Sequence, residues 1–452
     1  MSLNFVKGKI INNHNLPNTE EESICLPDTK LRRVVIVGGG FAGLTLVKGL
    51  KNRNIQIVLI DRNNFHQFQP LLYQVATSGL EPDSILFPIR KQLSGYKNVV
   101  FRMAEVTEIQ TSHNLIITDK GRLSYDFLVL ATGAEINYFG LNQFQKRSLG
   151  LKDIRDALDI RHKMLLNLEQ AAISCDQQER DALTNFVIVG GGPAGVEMAG
   201  ALGEFCRYIL PKDYPEFSSA LMKIFLLEAS NQLLTGMSGK ASIRTLEYLK
   251  TLNVDVLLNE TVTDYDGTVI TTDQGRDILT KNVIWTAGVK GQFPLGLATQ
   301  TNKAKGNRLR VDEFMRLDGT DNVFVLGDVA AMITRETPNG HPQVAQPAIQ
   351  QGKYLAKMLI NIIHARPTQP FKYIDKGSLA TVGKRKAVAD IGNWSFAGYV
   401  AWLLWSLVHI MSISGFRNRL LVGINWVMNY FSYEKSNRLI IRASTKTNDS
   451  DK

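Results

Sequence analysis

The sequence predicts an α/β protein with two nucleotide-binding units, because the same motif occurs twice in the chain. The copies are Val34–Gly43 and Phe186–Gly195. Each joins a short β-branched run, the pattern G-x-G-x-x-G and a helix-compatible stretch, Leu44–Leu50 or Val196–Ile209. The first glycine permits a tight turn, the second lets a pyrophosphate approach the backbone, and the third lets the helix pack on the strand. Two copies predict two bound dinucleotides and electron transfer between them.

A carboxylate follows the second predicted strand of each copy. Asp61 comes after the apolar run Ile55–Ile60, and Glu228 comes after Lys223–Leu227. A carboxylate at this place accepts hydrogen bonds from ribose hydroxyls and repels a 2′-phosphate. A single acid at a strand end is by default a residue that faces water. Here both motif copies have the acid at the expected place, which favours the ribose-binding interpretation. Glu228 therefore predicts a preference for NADH over NADPH.

Three further apolar strands are closed by small residues, which allow a cofactor to lie against the backbone. Singly, each is also compatible with an ordinary core strand. In this order they resemble the two-dinucleotide flavoprotein reductases, in which a Gly-Asp carboxylate binds the ribityl chain of the flavin. The resemblance assigns FAD to the first copy and NADH to the second. The strands with their closing residues are Tyr125–Leu130 with Ala131–Gly133, Asn282–Trp285 with Thr286–Gly288, and Asn322–Leu326 with Gly327 and Asp328.

Cysteine usage narrows the class of reductase. A chain of 452 residues has material for two or three domains, but it holds only Cys25, Cys175 and Cys206, with no C-x-x-C spacing. We therefore expect no disulfide framework and no metal site, and we expect the catalytic part to lie in a reducing compartment. Thiol reductases of this architecture need a dithiol, so the sequence argues against them.

The C-terminal region is basic and rich in tryptophan. Between Lys384 and Arg442 there are eight basic residues against Asp390 and Glu434, and four of the five tryptophans, Trp394, Trp402, Trp405 and Trp426. This combination suits the headgroup layer of an anionic bilayer better than a nucleic-acid groove. No nucleic-acid motif is visible, and we expect no nucleic-acid partner.

Two consecutive segments of this region predict membrane-binding helices. Phe396–Ser414 runs 19 residues without a formal charge, long enough to span a bilayer, yet it carries a weakly polar stripe. Arg417–Phe431 is amphipathic. We predict two helices that lie in the membrane–water interface. A transmembrane helix and an ordinary dimer-forming or core helix pair stay open as alternatives. The predicted faces of the second helix are Asn418, Val422, Asn425 and Asn429 on one side, and Leu420, Leu421, Ile424, Val427 and Phe431 on the other.

A pair of glutamines in Ala345–Gly352 is a candidate quinone contact. Gln346 and Gln350 are four residues apart and so share one helix face. Amide side chains can donate to and accept from quinone carbonyls without ionising. From spacing alone, a solvated helix face is the simpler interpretation.

Four segments together resemble the type II, or alternative, non-proton-pumping NADH:quinone oxidoreductases. The resemblance covers nearly the whole chain after residue 30, and only the N-terminal extension departs from it. Related soluble reductases lack the glutamine motif and the tryptophan-rich tail. The segments are Phe68–Ala76, Ala345–Gly352, Gly377–Lys384 and Gly415–Arg419.

This resemblance implies roles for individual residues. Gln346 and Gln350 would line the junction of the flavin and quinone sites, Lys384 would stabilise negative charge near the flavin, and Glu197 would gate NADH or relay protons. The same resemblance implies that NADH is held by Gly190, Gly192, Gly195, Glu228 and Gly288. It implies that FAD is held by Gly38, Gly40, Phe41, Ala42, Gly43, Asp61, Arg62, Val106, Ala131, Thr132, Gly133, Asp328, Ala345 and Gln346.

The implied enzyme passes a hydride from NADH to FAD and then two electrons to a membrane quinone, without pumping ions. We expect a homodimer bound peripherally to the cytoplasmic face of the inner membrane, although an organellar setting stays open. A soluble reductase of another acceptor and an NADH-sensing flavoprotein are the alternatives. The expected domains are a mobile extension (1–30), a discontinuous FAD domain (31–146 and 294–383), an NADH domain (147–293) and a membrane-anchoring region (384–452).

Overall fold

The computed structural model describes residues 23–215, 217, 222–297, 303–432 and 437–440. Most of the predicted N-terminal extension lies outside these residues, as do Tyr433, Glu434, Lys435 and the chain from 441 onward. The described residues belong to two compact units. Unit 1 comprises those within 1–67, 87–137 and 289–376, and unit 2 those within 68–86, 138–288 and 377–452.

The described α-helices are α1 (Phe41–Leu50), α2 (Leu72–Ala76), α3 (Pro82–Ile85), α4 (Ile89–Gln92), α5 (Asn142–Arg147), α6 (Ile154–Ile173), α7 (Gln177–Thr184), α8 (Pro193–Tyr208), α9 (Leu210–Asp213), α10 (Gly239–Lys250), α11 (Ala345–Ile363), α12 (Tyr399–Ser412) and α13 (Phe416–Ser432). Short 3₁₀ helices occur at Gln69–Leu71, Thr111–His113 and Gly327–Val329.

The described strands are β1 (Arg33–Val37), β2 (Gln56–Asp61), β3 (Phe65–Gln67), β4 (Leu86–Pro88), β5 (Val99–Met103), β6 (Val106–Gln110), β7 (Leu115–Thr118), β8 (Gly121–Ser124), β9 (Phe127–Leu130), β10 (Ala134–Ile136), β11 (Leu149–Gly150), β12 (Phe186–Val189), β13 (Ile224–Glu228), β14 (Val254–Leu258), β15 (Val262–Tyr265), β16 (Val269–Thr272), β17 (Asp277–Leu279), β18 (Asn282–Trp285), β19 (Val289–Gly291), β20 (Lys303–Ala304), β21 (Arg308–Val311), β22 (Val323–Val325), β23 (Ala330–Met332), β24 (Ser378–Gly383), β25 (Lys386–Ile391) and β26 (Trp394–Ala397).

Unit 1 is built around a five-stranded parallel sheet in the order β22-β9-β1-β2-β5. The β-branched residues of β1 are buried, as expected of a central parallel strand. Since β2 and β9 flank β1 on opposite sides, the strand order reverses at β1. Ligands of such sheets bind at the carboxyl ends of the strands at this reversal.

Unit 1 also packs two helices closely through small residues. A Cβ on Gly49 of α1 would lie 2.5 Å from the Cβ of Ala356 in α11, and one on Gly352 of α11 would lie 2.6 Å from the carbonyl oxygen of Ala42. These distances are shorter than van der Waals contact, so α11 covers α1 only because the two positions are glycine.

Unit 2 repeats the arrangement with the parallel sheet β11-β18-β12-β13-β14. Here β13 and β18 flank β12, so the strand order reverses at the second motif copy. An antiparallel sheet, β24-β25-β26, follows later in the chain. Its first strand lies on α8, where a Cβ on Gly200 would be 1.8 Å from the carbonyl oxygen of Val382.

The predicted α/β class is confirmed, and the predicted strands occur within one or two residues of their expected bounds. Both motif helices begin earlier than predicted. Because α1 starts at Phe41 and α8 at Pro193, the third glycine of each motif lies inside its helix. Pro193 is favoured at the first helical position, where no backbone N–H is required.

The C-terminal helices α12 and α13 expose apolar side chains. On α13, Asn418 and Val422 are buried in unit 2, whereas Leu420, Ile424 and Val427 are exposed. The Asn418 amide donates to the carbonyl oxygens of Asp83 and Leu86 at 3.0 and 2.8 Å. The predicted asparagine face therefore contacts the protein and the apolar face is presented outward. None of the described helices is both long and apolar enough to cross a membrane.

Candidate functional site

The first motif copy forms a tight loop between β1 and α1 in unit 1. Gly38 has a φ of +109°, and a Cβ there would lie 2.2 Å from the carbonyl oxygen of Ala131. A Cβ on Gly43 would lie 1.9 Å from the carbonyl oxygen of Gly38. Only glycine fits at these two positions, which brings the start of α1 against the end of β1.

Asp61 closes this loop from the end of β2. Its Oδ2 accepts a hydrogen bond from the Gly39 amide at 2.6 Å, and its Oδ1 accepts one from the Asn63 amide at 2.7 Å. Burial raises the pKa of Asp61, and these amide donors oppose that effect. The carboxylate predicted to bind ribose therefore also holds the loop in shape, while neighbouring Arg62 is exposed.

A residue that the sequence analysis missed lies beneath this loop. The Nδ1 of buried His66 is 3.1 Å from the carbonyl oxygen of Gly39, and its ring meets Phe41 edge-on at 5.2 Å between centroids. Burial lowers the pKa of His66 to about 4, so the ring is neutral at pH 7. Its place on the short strand β3, outside any recognised motif, left no sequence signal.

The other predicted FAD residues of unit 1 lie at strand ends and at the start of α11. Ala131, Thr132 and Gly133 follow β9, and the Thr132 hydroxyl donates to the carbonyl oxygen of Gln292. Val106 is buried at the start of β6.

Asp328, which is predicted to bind the flavin, lies in a 3₁₀ turn after β22. Gln351 holds this turn, because its buried side chain accepts a hydrogen bond from the Gly327 amide at 2.7 Å. Its signal in the sequence is a glutamine on the apolar face of α11, whereas Gln346 and Gln350 lie on another face.

The amides of Gln346 and Gln350 contact backbone of unit 1. Gln350 Nε2 donates to the Ile374 carbonyl oxygen at 2.8 Å, and the Ile374 amide donates to Gln350 Oε1 at 3.0 Å. Gln346 Oε1 accepts from the Lys376 amide at 3.2 Å. The shared helix face predicted for this pair is confirmed, and it holds the segment that precedes β24. Their predicted contact with quinone stays a prediction.

The second motif copy in unit 2 has nearly the same geometry. Gly190 has a φ of +110°, a Cβ on Gly195 would lie 1.9 Å from the carbonyl oxygen of Gly190, and Glu228 Oε2 accepts from the Gly191 amide at 2.6 Å. Glu228 Oε1 accepts from Ser230 at 2.8 Å. At the predicted Gly288, a Cβ would lie 2.9 Å from the Phe139 ring.

Both loops have the space that a pyrophosphate needs. Gly40 and Gly192 directly precede α1 and α8, and a Cβ on either would meet no atom within 4 Å. Amide groups at the start of a helix point outward and favour an anion. The residues present in each unit therefore fit a dinucleotide.

Unit 2 contains a pocket of about 120 Å³ lined by aromatic and polar side chains. A cavity of about 150 Å³ in another protein holds a benzene ring, so this volume suits a single ring. The walls come from α2, α8, β24, α12 and α13. The lining residues are Tyr73, Gln74, Thr77, Gly79, Glu197, Ala201, Glu204, Ile209, Thr381, Val382, Gly383, Lys384, Trp402, Trp405, Ser406, Trp426, Asn429 and Tyr430.

Glu197 is a buried acid on the wall of this pocket. Burial raises its pKa to about 8, and the Thr381 amide, 3.5 Å from Oε1, and the Trp405 indole lower it by less. The indole nitrogen of Trp405 is buried and forms no hydrogen bond of normal geometry with the described residues. The pocket thus contains a protonated acid at neutral pH and, close to it, a buried indole N–H.

Lys384, predicted to lie near the flavin, lines the same pocket in unit 2. Its backbone amide donates to Glu204 Oε1 at 2.6 Å, and its ammonium donates to the Tyr430 carbonyl oxygen and lies 4.6 Å from the centre of that ring. Burial and neighbouring Arg385 lower the pKa of Lys384. Two of the four predicted catalytic residues, Glu197 and Lys384, therefore meet in one pocket, while Gln346 and Gln350 belong to unit 1.

Comparisons with known proteins show the family of the chain. A family model for pyridine nucleotide-disulphide oxidoreductases matches residues 32–352, and one for the NDH2 C-terminal domain matches residues 376–432. The Mycobacterium tuberculosis type II NADH:quinone oxidoreductase Ndh is 36% identical over 414 residues, covering 88% of each chain. The mitochondrial internal alternative NAD(P)H-ubiquinone oxidoreductase A1 of Arabidopsis thaliana is 27% identical, covering 88% of this chain and 84% of that protein.

A solved structure of Plasmodium falciparum NDH2 in complex with NADH shares the fold. Its TM-score is 0.84 at 22% identity, with 91% of this chain and 100% of that chain covered. The fold likeness and the mycobacterial relative extend over both units, whereas the C-terminal family model matches almost only residues of unit 2. The chain belongs to the type II NADH:quinone oxidoreductase family.

Proposed function

We propose that this chain carries out the reaction of its family with one nucleotide loop in each unit and the aromatic pocket of unit 2 as its quinone site. The chain is an FAD-dependent oxidoreductase that passes electrons from NADH to a quinone without pumping protons. When bound, FAD would supply the redox chemistry, namely acceptance of a hydride from NADH and transfer of two electrons to quinone. The protein binds, orients and stabilises charge.

Unit 1 is proposed as the FAD-binding part, with Rossmann-like geometry around β1. The Gly38–Gly43 loop and the start of α1 would hold the pyrophosphate, Asp61 the ribose, and Asp328, held by Gln351, the ribityl chain. Gln346 and Gln350 would act near the flavin by fixing the segment around Ile374. The domain boundaries expected from the sequence stay a prediction.

Unit 2 is proposed as the NADH-binding part. The Gly190–Gly195 loop and the start of α8 would hold the pyrophosphate of NADH, and Glu228 would accept hydrogen bonds from the adenosine ribose. The Glu228 carboxylate would repel a 2′-phosphate. This supports the preference for NADH predicted from the sequence.

The observation that carries the quinone assignment is a pocket sized for one ring, in which the buried Trp405 indole forms no hydrogen bond of normal geometry with the described residues. A buried N–H without an acceptor costs stability unless a ligand or water satisfies it. A quinone carbonyl is an acceptor of suitable size and polarity. Lys384 would stabilise negative charge that develops on the quinone oxygens.

We further propose that α12 and α13 bind one leaflet of a membrane. Tyr399, Leu403 and Leu407 of α12 and Leu420 and Ile424 of α13 are exposed although apolar. Large exposed apolar patches mark interaction sites, and the basic residues of the region would add attraction to anionic lipid. The cytoplasmic face and the homodimer stay predictions.

The quinone assignment is tested by Trp405→Phe, which removes the indole N–H and keeps an aromatic ring. Quinone-dependent turnover with a water-soluble quinone should fall, while stopped-flow reduction of FAD by NADH stays like that of the parent. Equal loss in both half-reactions would contradict the assignment. Absence of quinone turnover in the parent would favour a sensor or a reductase of another acceptor.

Membrane binding is tested by vesicle flotation of the double variant Ile424→Asp, Val427→Asp. It should bind anionic vesicles less than the parent, with Ile243→Asp, an exposed isoleucine of α10, as the matched control. High salt should loosen the parent only partly, since apolar insertion is not screened. If the double variant floats like the control, the anchor lies elsewhere.

A further inference from the structure

We propose that the Tyr73 hydroxyl donates a hydrogen bond to the quinone carbonyl in the aromatic pocket, and that Trp426 orients it through Gln74. The inference rests on the proposed quinone site and adds to it a donor and two positioning residues. Tyr73 and Gln74 belong to the segment Phe68–Ala76, which carries the family resemblance but received no chemical role from it. All three side chains line the pocket.

The three side chains form a directed chain of hydrogen bonds from α13 to α2. Trp426 Nε1 donates to Gln74 Oε1 at 2.8 Å, and Gln74 Nε2 donates to Tyr73 Oη at 2.8 Å. An indole nitrogen can only donate, so the amide oxygen of Gln74 must face Trp426. The amide nitrogen is thereby fixed toward Tyr73.

This direction determines what the Tyr73 hydroxyl can do. Since its oxygen accepts from Gln74, its single proton must be donated elsewhere. Within the described residues no second hydrogen bond of this hydroxyl is found, and Tyr73 is buried on the pocket wall. The proton therefore faces the volume in which a quinone ring would lie.

A phenol so held matches the needs of quinone reduction. Negative charge develops on a quinone oxygen as electrons arrive, and a prepositioned donor stabilises it without reorganisation. The proton stays on Tyr73, because burial raises its pKa well above the ordinary value. The two protons of the quinol come from other groups or from water.

Trp426 lies on α13, whose outward face is proposed to bind lipid. The same helix thus presents Ile424 and Val427 outward and the Trp426 indole inward, next to Trp405 at 5.2 Å between centroids. The geometry of the donor in the pocket therefore depends on the placement of α13.

The test measures both half-reactions in Tyr73→Phe, Gln74→Glu and Gln74→Leu, with Tyr248→Phe of α10 as the matched control outside the pocket. Loss of one donor to a developing oxyanion costs about 10²–10³-fold in a hydrolase, and we expect at least ~10-fold slower quinone reduction for Tyr73→Phe. Flavin content, NADH half-reaction and thermal midpoint should stay near those of the parent.

The two Gln74 variants test the direction of the chain. A carboxylate at this position still accepts a hydrogen bond from Trp426, but it also accepts one from the Tyr73 hydroxyl, which can then no longer donate to quinone. Gln74→Glu should therefore slow quinone reduction as much as Tyr73→Phe. Gln74→Leu leaves the phenol proton free and should slow it less. Trp426→Phe should raise the KM for quinone, because the amide can then rotate.

The outcomes separate the two proposals. If Trp405→Phe slows quinone reduction and Tyr73→Phe does not, the pocket is correct and Tyr73 is not the donor. If neither variant changes it, the pocket is not the quinone site. If Gln74→Leu slows quinone reduction as much as Gln74→Glu does, the Gln74 side chain only supports packing and its orienting role is overturned.

Discussion

The two units carry the same nucleotide loop but cover the following helix differently. In both, the first glycine of the pattern has a φ near +110°, and the strand-end carboxylate accepts from the amide of the next residue, Gly39 or Gly191, at 2.6 Å. Two residues after the third glycine, α1 has Thr45 and α8 has Glu197. The Thr45 hydroxyl bonds back to the Phe41 carbonyl oxygen at 2.6 Å, whereas the Glu197 carboxyl is buried toward β24.

This difference lies at the helix beside which the quinone site is proposed. In unit 1, α11 closes over α1 through glycine contacts and leaves the loop as a binding element alone. In unit 2, β24 lies on α8 and the aromatic pocket lies beside them, with Glu197 between helix and strand. The loops of both units are proposed to bind nucleotides, and the elements packed on the following helix distinguish the two units.

The largest effect is expected from breaking each loop separately. Gly38→Ala would place a Cβ 2.2 Å from the Ala131 carbonyl oxygen, and Gly190→Ala would place one 2.5 Å from the Ala287 Cα. We expect Gly38→Ala to lose FAD and all activity, and Gly190→Ala to keep FAD and lose NADH oxidation. Flavin absorbance per chain and steady-state turnover measure this. Equal flavin loss in both would remove the assignment of cofactors to units.

The next largest effect is expected on the pH dependence of stability, and it comes from Glu197 of α8, where α1 has Thr45. The native pKa of Glu197, about 8, is raised above its ordinary 4.5, so the folded state keeps a proton that the unfolded state loses. This group's contribution is fully present below about pH 4.5 and is lost as the pH rises to about 8. Glu197→Gln should remove this decline and be more stable than the parent at pH 9.

The expected difference is on the order of a few kcal/mol, from about 1.4 kcal/mol per pKa unit. Denaturant unfolding at pH 5, 7 and 9 measures it. Thr45→Val, the matched position of α1, should leave the pH dependence unchanged. A parallel pH profile in Glu197→Gln and the parent would mean that the acid is ionised in the native protein.

The loops could be predicted from the sequence because their constraints are local. Glycines at fixed spacing and a strand-end acid specify the turn, and Gly38, Asp61, Gly190 and Glu228 lie where the pattern placed them. Residues such as His66, Gln351 and Tyr73 depend on long-range packing. Their roles follow from which backbone or side chain lies opposite, and that information is absent from local spacing.

The C-terminal helices show the same limit in another form. The alternation of asparagines and apolar residues in α13 predicted two faces, but periodicity does not say which face meets the protein. That the asparagine face meets the protein follows only from the partners of Asn418, the carbonyl oxygens of Asp83 and Leu86.

The smallest effect is expected where the two loops agree most, at their carboxylates. Glu228→Gln keeps an acceptor for ribose but removes the charge that repels a 2′-phosphate. A hydrogen bond involving a charged group contributes about 1.5–3 kcal/mol, so the ratio of kcat/KM for NADPH to that for NADH should rise by roughly 10-fold or more. The two specificity constants are measured with one quinone under the same conditions.

Asp61→Asn is the matched substitution in the other loop. It should weaken FAD retention, because Oδ2 holds the Gly39 amide and the carboxyl is proposed to meet the ribose of FAD. Since that loop is proposed to bind no nicotinamide nucleotide, the NADPH-to-NADH ratio should not change. A ratio that shifts in Asp61→Asn and not in Glu228→Gln would reverse the assignment of the two nucleotides to the two units, and an unchanged ratio in both would place specificity outside the strand-end acids.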